Sequence, residues 1–237
     1  GLVTGTCLAD FGMNVICVDK DKEKIDTLNS GGLPIYELSL FELIQRNTKL
    51  DRLHISTNIE EAVDRSLVIY LAVGTPEGSD GRHDLSHIID VTRQIARCMT
   101  EYKVIAIKST VPVGTARMLR KLVSENLRQK IEFDVVSNPE FLREGAAVND
   151  FLRPDRIILG ADSERALAIM RDIFRPLYLL KKPIVCTTNE TAELIKYAAN
   201  AMLALRVSFI NEVANICDRV GADVYDVAVA LGMDRRI

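Results

Sequence analysis

The longest hydrophobic pattern of the chain spans 188–220, where no Pro or Gly occurs and strong helix formers dominate. It predicts one long helix with Thr188 or Asn189 as its N-cap and Gly221 directly after its end. Apolar residues lie all round the middle of this helix, over 195–216. We therefore expect protein to enclose the helix on most sides.

A narrow polar line crosses this apolar surface. Lys196 and Asn200 are four residues apart and so share one helical face, and Asn211 and Asn215 continue the line. An enclosed ammonium group and carboxamide need polar partners. The line therefore fits either a polar seam between domains or subunits, or a pair of side chains that face a substrate.

Residues 1–187 alternate short apolar runs of strand length with amphipathic segments of helix length. This alternation predicts an α/β fold, a Rossmann-like doubly wound parallel sheet followed by the long central helix. One run, 67–73, is apolar throughout, as in a strand buried on both faces. The predicted strands are 14–19, 54–57, 67–73, 104–107, 133–137, 156–160 and 184–187. The predicted domains are accordingly the sheet domain 1–187 and a central helical region 188–237.

The start of the chain has half of a dinucleotide-binding motif. Residues 1–12 predict a helix without a strand before it, and the strand 14–19 ends on Asp19. In such motifs a glycine-rich turn precedes the helix, and an acid about 20 residues later binds the ribose. Gly1 would then be the third glycine, and Lys24 lies close enough after Asp19 to reach the same ribose. A helix followed by a strand gives the same pattern in other α/β proteins, so the half motif alone does not prove dinucleotide binding. Because a strand and two glycines of the motif are missing before Gly1, and Ile237 does not look like the end of a fold, we expect the sequence to be truncated at both ends.

Polar residues follow three of the predicted strands. Thr75 follows the run 67–73, Thr110 follows the run 104–107, and the loop 138–145 contains two acids, a base and two large apolar residues. Ligands of open parallel sheets bind beyond the carboxyl ends of the strands. We therefore expect a cofactor to pass Thr75, and the loop 138–145 to contact a polar ligand, unless it is a turn held by a surface Arg–Glu pair.

Composition excludes several classes of partner. The net charge of −3 over 237 residues leaves no basic footprint, so nucleic acid and anionic membranes are poor candidates. The longest uncharged stretch of the central helix is too short to cross a bilayer, and we expect a cytoplasmic protein with no membrane contact. The five cysteines are widely spaced, without a CxxC motif, so we expect small buried side chains and no metal site.

The motifs in chain order resemble one family. They are GLVTG, VICVD, AVGTP, KSTVPVGT, NPEFLREG, PDRIILG, AELIKYAAN, SFINE and GMDRRI. This succession resembles the UDP-glucose 6-dehydrogenases of the wider UDP-glucose/GDP-mannose dehydrogenase family, through essentially the whole chain. NPEFLREG together with ETAELIKYAAN is the most specific part of the resemblance.

The resemblance implies an NAD-dependent enzyme that oxidises the C6 alcohol of UDP-glucose to a carboxylate in two hydride transfers. It implies a thioester on a cysteine outside this chain, because no cysteine here has the family's setting for the nucleophile. By resemblance and by the half motif, the cofactor-binding residues are Gly1, Asp19, Lys24, Thr75, Thr110 and Glu144. By resemblance, the substrate-binding residues are Phe141, Leu142, Arg143, Glu144, Lys196, Asn200 and Arg236. The catalytic residues it implies are Glu140 as base, Lys196 as oxyanion stabiliser, Asn200 as its helper, and Thr110.

Other functions fit parts of the sequence. GDP-mannose and UDP-N-acetylmannosamine are alternative sugar nucleotides. The β-hydroxyacid dehydrogenases also carry Lys and Asn four residues apart after a Rossmann domain, although the loop NPEFLREG argues against them. A non-catalytic dinucleotide-binding or dimerisation module is a further alternative. The apolar surface of the central helix favours a homodimer that packs through it.

Overall fold

The computed structural model describes residues 1–78, 81, 83–234 and 236. The chain forms two compact units, Gly1–Leu194 and Ile195–Ile237. Within the described residues, no helix combines the length and the apolar character that a membrane crossing requires.

The first unit alternates helices and strands, as predicted from the pattern of apolar runs. Its elements in chain order are α1 (Leu2–Asp10), β1 (Val15–Val18), α2 (Lys22–Asn29), α3 (Leu40–Lys49), β2 (Leu53–Ser56), α4 (Ile59–Arg65), β3 (Val68–Leu71), α5 (Ser86–Cys98), β4 (Lys103–Ile107), α6 (Thr115–Asn126), β5 (Phe133–Ser137), α7 (Ala147–Leu152), β6 (Ile157–Gly160), α8 (Glu164–Ile173), α9 (Arg175–Leu179) and β7 (Ile184–Thr187). The helix α10 (Asn189–Val220) begins in this unit and continues through the second unit, where α11 (Val224–Met233) follows it.

The described strands form two sheets. Strands β1 and β2 pair in parallel, and a five-stranded sheet has the order β3-β4-β5-β6-β7. Within the second sheet, only β5 and β6 pair antiparallel among the described pairs, through Ser137 opposite Gly160. The predicted Rossmann-like α/β class with parallel strand pairing is confirmed, and the β5–β6 pair is its one departure among the described pairs. The last residue of β6 thus lies opposite the last residue of β5, and the two strands run in opposite directions.

The core shows why the fold is doubly wound. Alternate residues of β4 point to opposite faces, as the period of a strand requires. Val104 and Ala106 belong to a hydrophobic cluster with residues of α1, α3, α7 and α8, whereas Ile105 and Ile107 belong to a cluster with residues of α5 and α6. Helices therefore cover both faces of the sheet at β4.

The strand β3 is less buried than its apolar sequence predicted. It lies at an edge of the five-stranded sheet, and Leu67 directly before it is 51% exposed. Only Leu71 within β3 is buried. Its side chains still pack on both faces, since Val68 and Tyr70 pack against one hydrophobic cluster and Ile69 and Leu71 against the other. Burial is incomplete because, among the described strands, β3 has a neighbour on one side only.

The long helix α10 has the predicted bounds but not the predicted enclosure. Thr188 is its N-cap, since its Oγ1 accepts a hydrogen bond from the Thr191 N–H at 3.2 Å. Large apolar side chains in its middle are 55% to 63% exposed. These residues are Met202, Leu203, Leu205, Val207 and Phe209. The described part of the chain supplies no cover for them, so the expected enclosure by protein is not met within this chain.

Candidate functional site

Two strand-end loops of the first unit lie against each other. The Thr75 hydroxyl donates to the Thr110 carbonyl oxygen at 2.7 Å, and the Ser109 hydroxyl donates to the Val73 carbonyl oxygen at 2.6 Å. The loops after β3 and β4 are thus joined at the carboxyl edge of the sheet. The structure brings together the two threonines that the sequence placed at a cofactor site, and both are half-buried.

A buried carboxylate closes the loop that carries Thr110. One oxygen of Glu193 accepts from the Gly114 N–H at 2.6 Å, and the other accepts from the Ala116 N–H at 2.8 Å. These N–H groups belong to the N-terminus of α6, which has no partners for them within the helix. Burial raises the pKa of Glu193, and the two backbone hydrogen bonds act against that rise. The side chain of Glu193, which is 3% exposed, therefore belongs to the interior of the first unit.

The first turn of α10 is also fixed to the sheet. The Asn189 carboxamide accepts from the Ser137 N–H at 2.8 Å and donates to the Val135 carbonyl oxygen at 3.2 Å. The carboxamide thus pairs one N–H group and one carbonyl oxygen of β5, as the backbone of a neighbouring strand would. A Cβ on Gly160 would lie 2.6 Å from the Cβ of Ala192, so the helix crosses where only glycine fits.

The loop after β5 carries most of the predicted substrate contacts. Glu140 is half-buried, and Leu142 packs against the hydrophobic core. The Arg156 guanidinium lies over the Phe141 ring, 3.9 Å from its centroid. Glu144 is exposed. The loop thus combines anchored apolar side chains with accessible acids.

An ion pair fixes the arginine of this loop. Asp150 accepts hydrogen bonds from the Arg143 guanidinium at 2.6 and 3.0 Å and from the Arg143 N–H at 2.9 Å. Hydrogen bonds from this guanidinium hold the pKa of Asp150 below its usual range. The alternative of a surface Arg–Glu pair within the loop was wrong, because the partner of Arg143 is an aspartate of α7.

The adenosine side of the predicted cofactor site lies at the end of β1. Asp19 is exposed, and its Oδ1 accepts from the Asp21 N–H at 3.0 Å. Lys24 forms its ion pair with Asp21, at 3.5 Å. Gly1 precedes α1, whose first turn carries no acid. An exposed carboxylate suits the free hydroxyls of an NAD ribose and would repel the 2′-phosphate of NADP, so these residues fit NAD.

The predicted residues of the long helix belong to the second unit. Lys196 is half-buried and Asn200 is exposed, and the unbroken α10 places them one turn apart. The Arg236 guanidinium donates to Asp234, at 2.5 Å for its shortest contact.

The cysteines are less uniformly buried than predicted. Cys7 and Cys217 are buried, whereas the other three are half-buried: Cys17, Cys98 and Cys186. Burial raises the pKa of Cys7 to about 12 and that of Cys17 to about 11, so both thiols stay protonated at neutral pH. Over the described residues there is no group of three or more His, Cys, Asp or Glu side chains that could hold a metal ion.

Sequence reasoning missed three residues of this region. Glu37 accepts from the Gly145 N–H at 2.8 Å and from the Ala147 N–H at 3.0 Å, at the end of the substrate loop. Asn189 was predicted only as a possible cap of α10, and Glu193 was given no role at the site, although both bind other elements of the first unit. Their spacing of four residues on one helical face was the available signal.

Two family sequence models match the chain. The NAD binding domain of the UDP-glucose/GDP-mannose dehydrogenase family matches residues 1–178, and the central domain of that family matches residues 190–237. The UDP-glucose 6-dehydrogenase of Rhizobium meliloti (strain 1021) is 48% identical over 240 residues, which cover 100% of this chain and 55% of that protein. The UDP-glucose 6-dehydrogenase TuaD of Bacillus subtilis (strain 168) is 46% identical over 237 residues, which cover 100% of this chain and 51% of that protein. The chain spans about half the length of the curated relatives it matches.

Solved structures agree with these matches. A UDP-glucose dehydrogenase from the hyperthermophilic archaeon Pyrobaculum islandicum has a TM-score of 0.95 and 37% identity, over 100% of this chain and 55% of that one. A GDP-mannose dehydrogenase of Pseudomonas aeruginosa, in a ternary complex, has a TM-score of 0.95 and 34% identity, over 100% of this chain and 55% of that one. The chain therefore belongs to the UDP-glucose/GDP-mannose dehydrogenase family, and NAD is the cofactor of its first domain.

Proposed function

We propose that the full-length gene product is a UDP-glucose 6-dehydrogenase, which oxidises UDP-glucose to UDP-glucuronate with two NAD+. The observation that carries this proposal is the pairing of Thr75 with Thr110 at the sheet edge that also bears the loop NPEFLREG. The identity of 48% to the Rhizobium meliloti enzyme supports UDP-glucose as the substrate. UDP-glucuronate is a sugar donor, so a glycosyl transfer for polysaccharide synthesis would consume it.

NAD+ would accept the hydride from C6 of the sugar. Asp19 would bind the adenosine ribose, with Lys24 beside it, and the N-terminus of α1 at Gly1 would face the pyrophosphate. Thr75 and Thr110, held together by their hydrogen bond, would line the rest of the site, with Glu144 from the substrate loop.

Lys196 and Asn200 would act on the alcohol of the sugar. An alcohol that loses hydride gains alkoxide character, and the ammonium group of Lys196 would stabilise that charge, helped by Asn200. The loop residues Phe141, Leu142 and Arg143 would hold the sugar nucleotide.

The second half of the reaction needs a nucleophile and water. A cysteine outside this chain would add to the aldehyde, and a second hydride transfer would leave a thioester. Glu140 would accept a proton from the water that hydrolyses this thioester. Arg236 would contact the sugar nucleotide, from the neighbouring subunit if the enzyme is a dimer.

We also propose that the protein is a homodimer whose subunits pack through α10. We propose the cytoplasm as its location. The exposed apolar residues of α10 support a protein partner for this helix, because patches of this kind in soluble proteins are covered by other protein. A second copy of the chain would bring an identical helix surface, as two-fold interfaces do.

The substrate is tested with the full-length gene product and purified sugar nucleotides. We expect about two NADH per UDP-glucose, the stoichiometry of two hydride transfers. The structural likeness to a GDP-mannose dehydrogenase makes GDP-mannose the second candidate, with UDP-N-acetylmannosamine as a further comparison. NADH formation only with GDP-mannose would overturn the choice of sugar, and none with any sugar nucleotide would favour a non-catalytic module.

A further inference from the structure

Two carboxylates, far apart in sequence, hold the two loops that define the proposed site. Glu193 binds backbone N–H groups at the end of the loop 109–114, and Glu37 binds backbone N–H groups at the end of the loop 138–146. Each carboxylate uses both oxygens, so each accounts for two N–H groups that would otherwise lack a partner at a helix N-terminus.

The loop 109–114 is held at both of its ends. At its start, the Ser109 hydroxyl donates to the Val73 carbonyl oxygen. At its end, Gly114 has a φ of +95°, and the Glu193 carboxylate accepts its N–H at 2.6 Å. Thr110 lies between these two attachments, so a change at Glu193 acts on the segment that carries Thr110.

The loop 138–146 is held in the same manner by a different part of the chain. At its start, the Asn138 carboxamide donates to the Ile158 carbonyl oxygen at 2.9 Å. At its end, the Glu37 carboxylate accepts the N–H groups of Gly145 and Ala147. Glu37 precedes α3, so a segment outside the loop determines where the loop ends.

We propose that Glu193 and Glu37 are positioning residues with separate targets: Glu193 positions the cofactor loop 109–114, and Glu37 positions the sugar-nucleotide loop 138–146. This rests on the proposed function, which assigns Thr110 to NAD and 141–143 to the sugar nucleotide, with Glu144 of the second loop also at the NAD site. Both residues act through backbone N–H groups, and the two loops are held by different elements. Loss of one carboxylate therefore disturbs one ligand more than the other.

The test uses Glu193→Gln and Glu37→Gln in the full-length gene product. Glutamine keeps the shape of the side chain, but its NH2 group opposes one of the two N–H groups, so one hydrogen bond is lost. We expect Glu193→Gln to raise KM for NAD+ roughly tenfold with KM for UDP-glucose nearly unchanged. We expect Glu37→Gln to raise KM for UDP-glucose roughly tenfold, with a smaller rise of KM for NAD+ because Glu144 belongs to the same loop. Each variant is a control for the other.

Two further controls alter acids that hold neither of the two loops. Glu190→Gln alters the same turn of α10, where the carboxylate pairs with the Arg117 side chain, and Glu42→Gln alters the first turn of α3. Both should leave both KM values unchanged. Equal changes of both KM values in Glu193→Gln and Glu37→Gln, or no change in either, would overturn the proposal, because a merely structural role would not separate the ligands.

Hydrogen exchange tests the positioning independently of activity. In Glu193→Gln we expect faster amide exchange over 110–117 and not over 143–148, and in Glu37→Gln the reverse. A protein that oxidises no sugar nucleotide but shows this separation would overturn the proposed function and keep the positioning roles. Uniform acceleration across both segments would overturn the positioning roles whatever the activity.

Discussion

Single acidic side chains fix loops in the first unit by two kinds of contact. Among the described contacts, Glu37 and Glu193 accept hydrogen bonds from backbone N–H groups, whereas Asp150 accepts from both the backbone N–H and the guanidinium of Arg143. Hydrogen bonds to a charged acceptor are stronger than neutral ones, so one carboxylate can hold a loop end. At the residue scale, the position of each loop thus depends on a few charges.

The pair Arg143–Asp150 predicts an acid-dependent stability. The pKa of Asp150 is lowered in the folded state, so the stability from this group is present above its unfolded pKa, about 4, and is lost as pH falls through the folded pKa. Asp150→Asn should therefore lower Tm at pH 7, and the difference from the wild type should shrink below about pH 4. Thermal unfolding of the full-length gene product measures this. Asp172→Asn, at an exposed position of α8, is the control, and a difference that stays constant with pH would contradict the prediction.

Lys196 predicts a kinetic effect on the proposed reaction. If its ammonium group stabilises developing alkoxide charge, Lys196→Ala should lower kcat by about 10²–10³-fold, with a much smaller effect on the affinity for the nucleotide. Steady-state kinetics with UDP-glucose and a direct binding measurement with UDP separate these effects. An unchanged kcat would remove Lys196 from the catalytic residues.

The first turn of α10 joins three elements at the carboxyl edge of the first unit. It contacts β5 through Asn189, β6 through Gly160, and α6 through Glu193. Its closest approach is at Gly160, where a Cβ would meet the Thr188 carbonyl oxygen and the Ala192 Cβ, both at 2.6 Å. The Thr188 carbonyl oxygen is a backbone atom, so it cannot move away from an added Cβ as the end of a flexible side chain could.

Gly160→Ala tests this close approach. We expect overpacking to reduce the free energy of unfolding by about 1–3 kcal/mol, since either the helix or β6 must shift. Gly232→Ala is the matched control, because a Cβ there meets nothing within 4 Å and alanine favours the helix α11. Comparison of Tm for the two variants measures the difference, and equal Tm values would contradict the close packing.

At the scale of the whole molecule, the exposed middle of α10 is the main unexplained surface of the chain. Leu203 and its large apolar neighbours are more than half exposed, and no residue of α11 is buried. A surface of this kind lowers solubility unless another protein surface covers it. The proposed homodimer accounts for it with one symmetric contact.

Leu203→Glu tests the dimer. A charge at the centre of an apolar interface between two helices should convert a dimer into a monomer, because the carboxylate would be buried without a partner. Light scattering after gel filtration of the full-length gene product measures the mass. Leu179→Glu, on an exposed leucine of α9, should leave the mass unchanged. A monomeric wild type, or a dimer that survives Leu203→Glu, would exclude α10 as the interface.

Several elements were predictable from local sequence, and others were not. The strands 133–137 and 184–187 have the predicted bounds, and the long helix starts and ends where the sequence placed it. The short helices α4, α7 and α9 were not predicted, since few turns leave no clear hydrophobic period. The antiparallel course of β6 was not predictable either, because strand direction depends on where the preceding loop packs.

The residues of the candidate site also fall into those that local sequence could predict and those that it could not. The sequence by itself determined the class of fold and the strand ends that carry Thr75, Thr110 and the loop 138–145, because apolar periodicity and turn residues act over a few neighbouring positions. Only the tertiary structure decided that Glu193 turns inward to α6 and that Glu37 holds the loop after β5, because both contacts join segments distant in sequence. Local pattern determines which elements form, and the packing between them determines which polar groups meet.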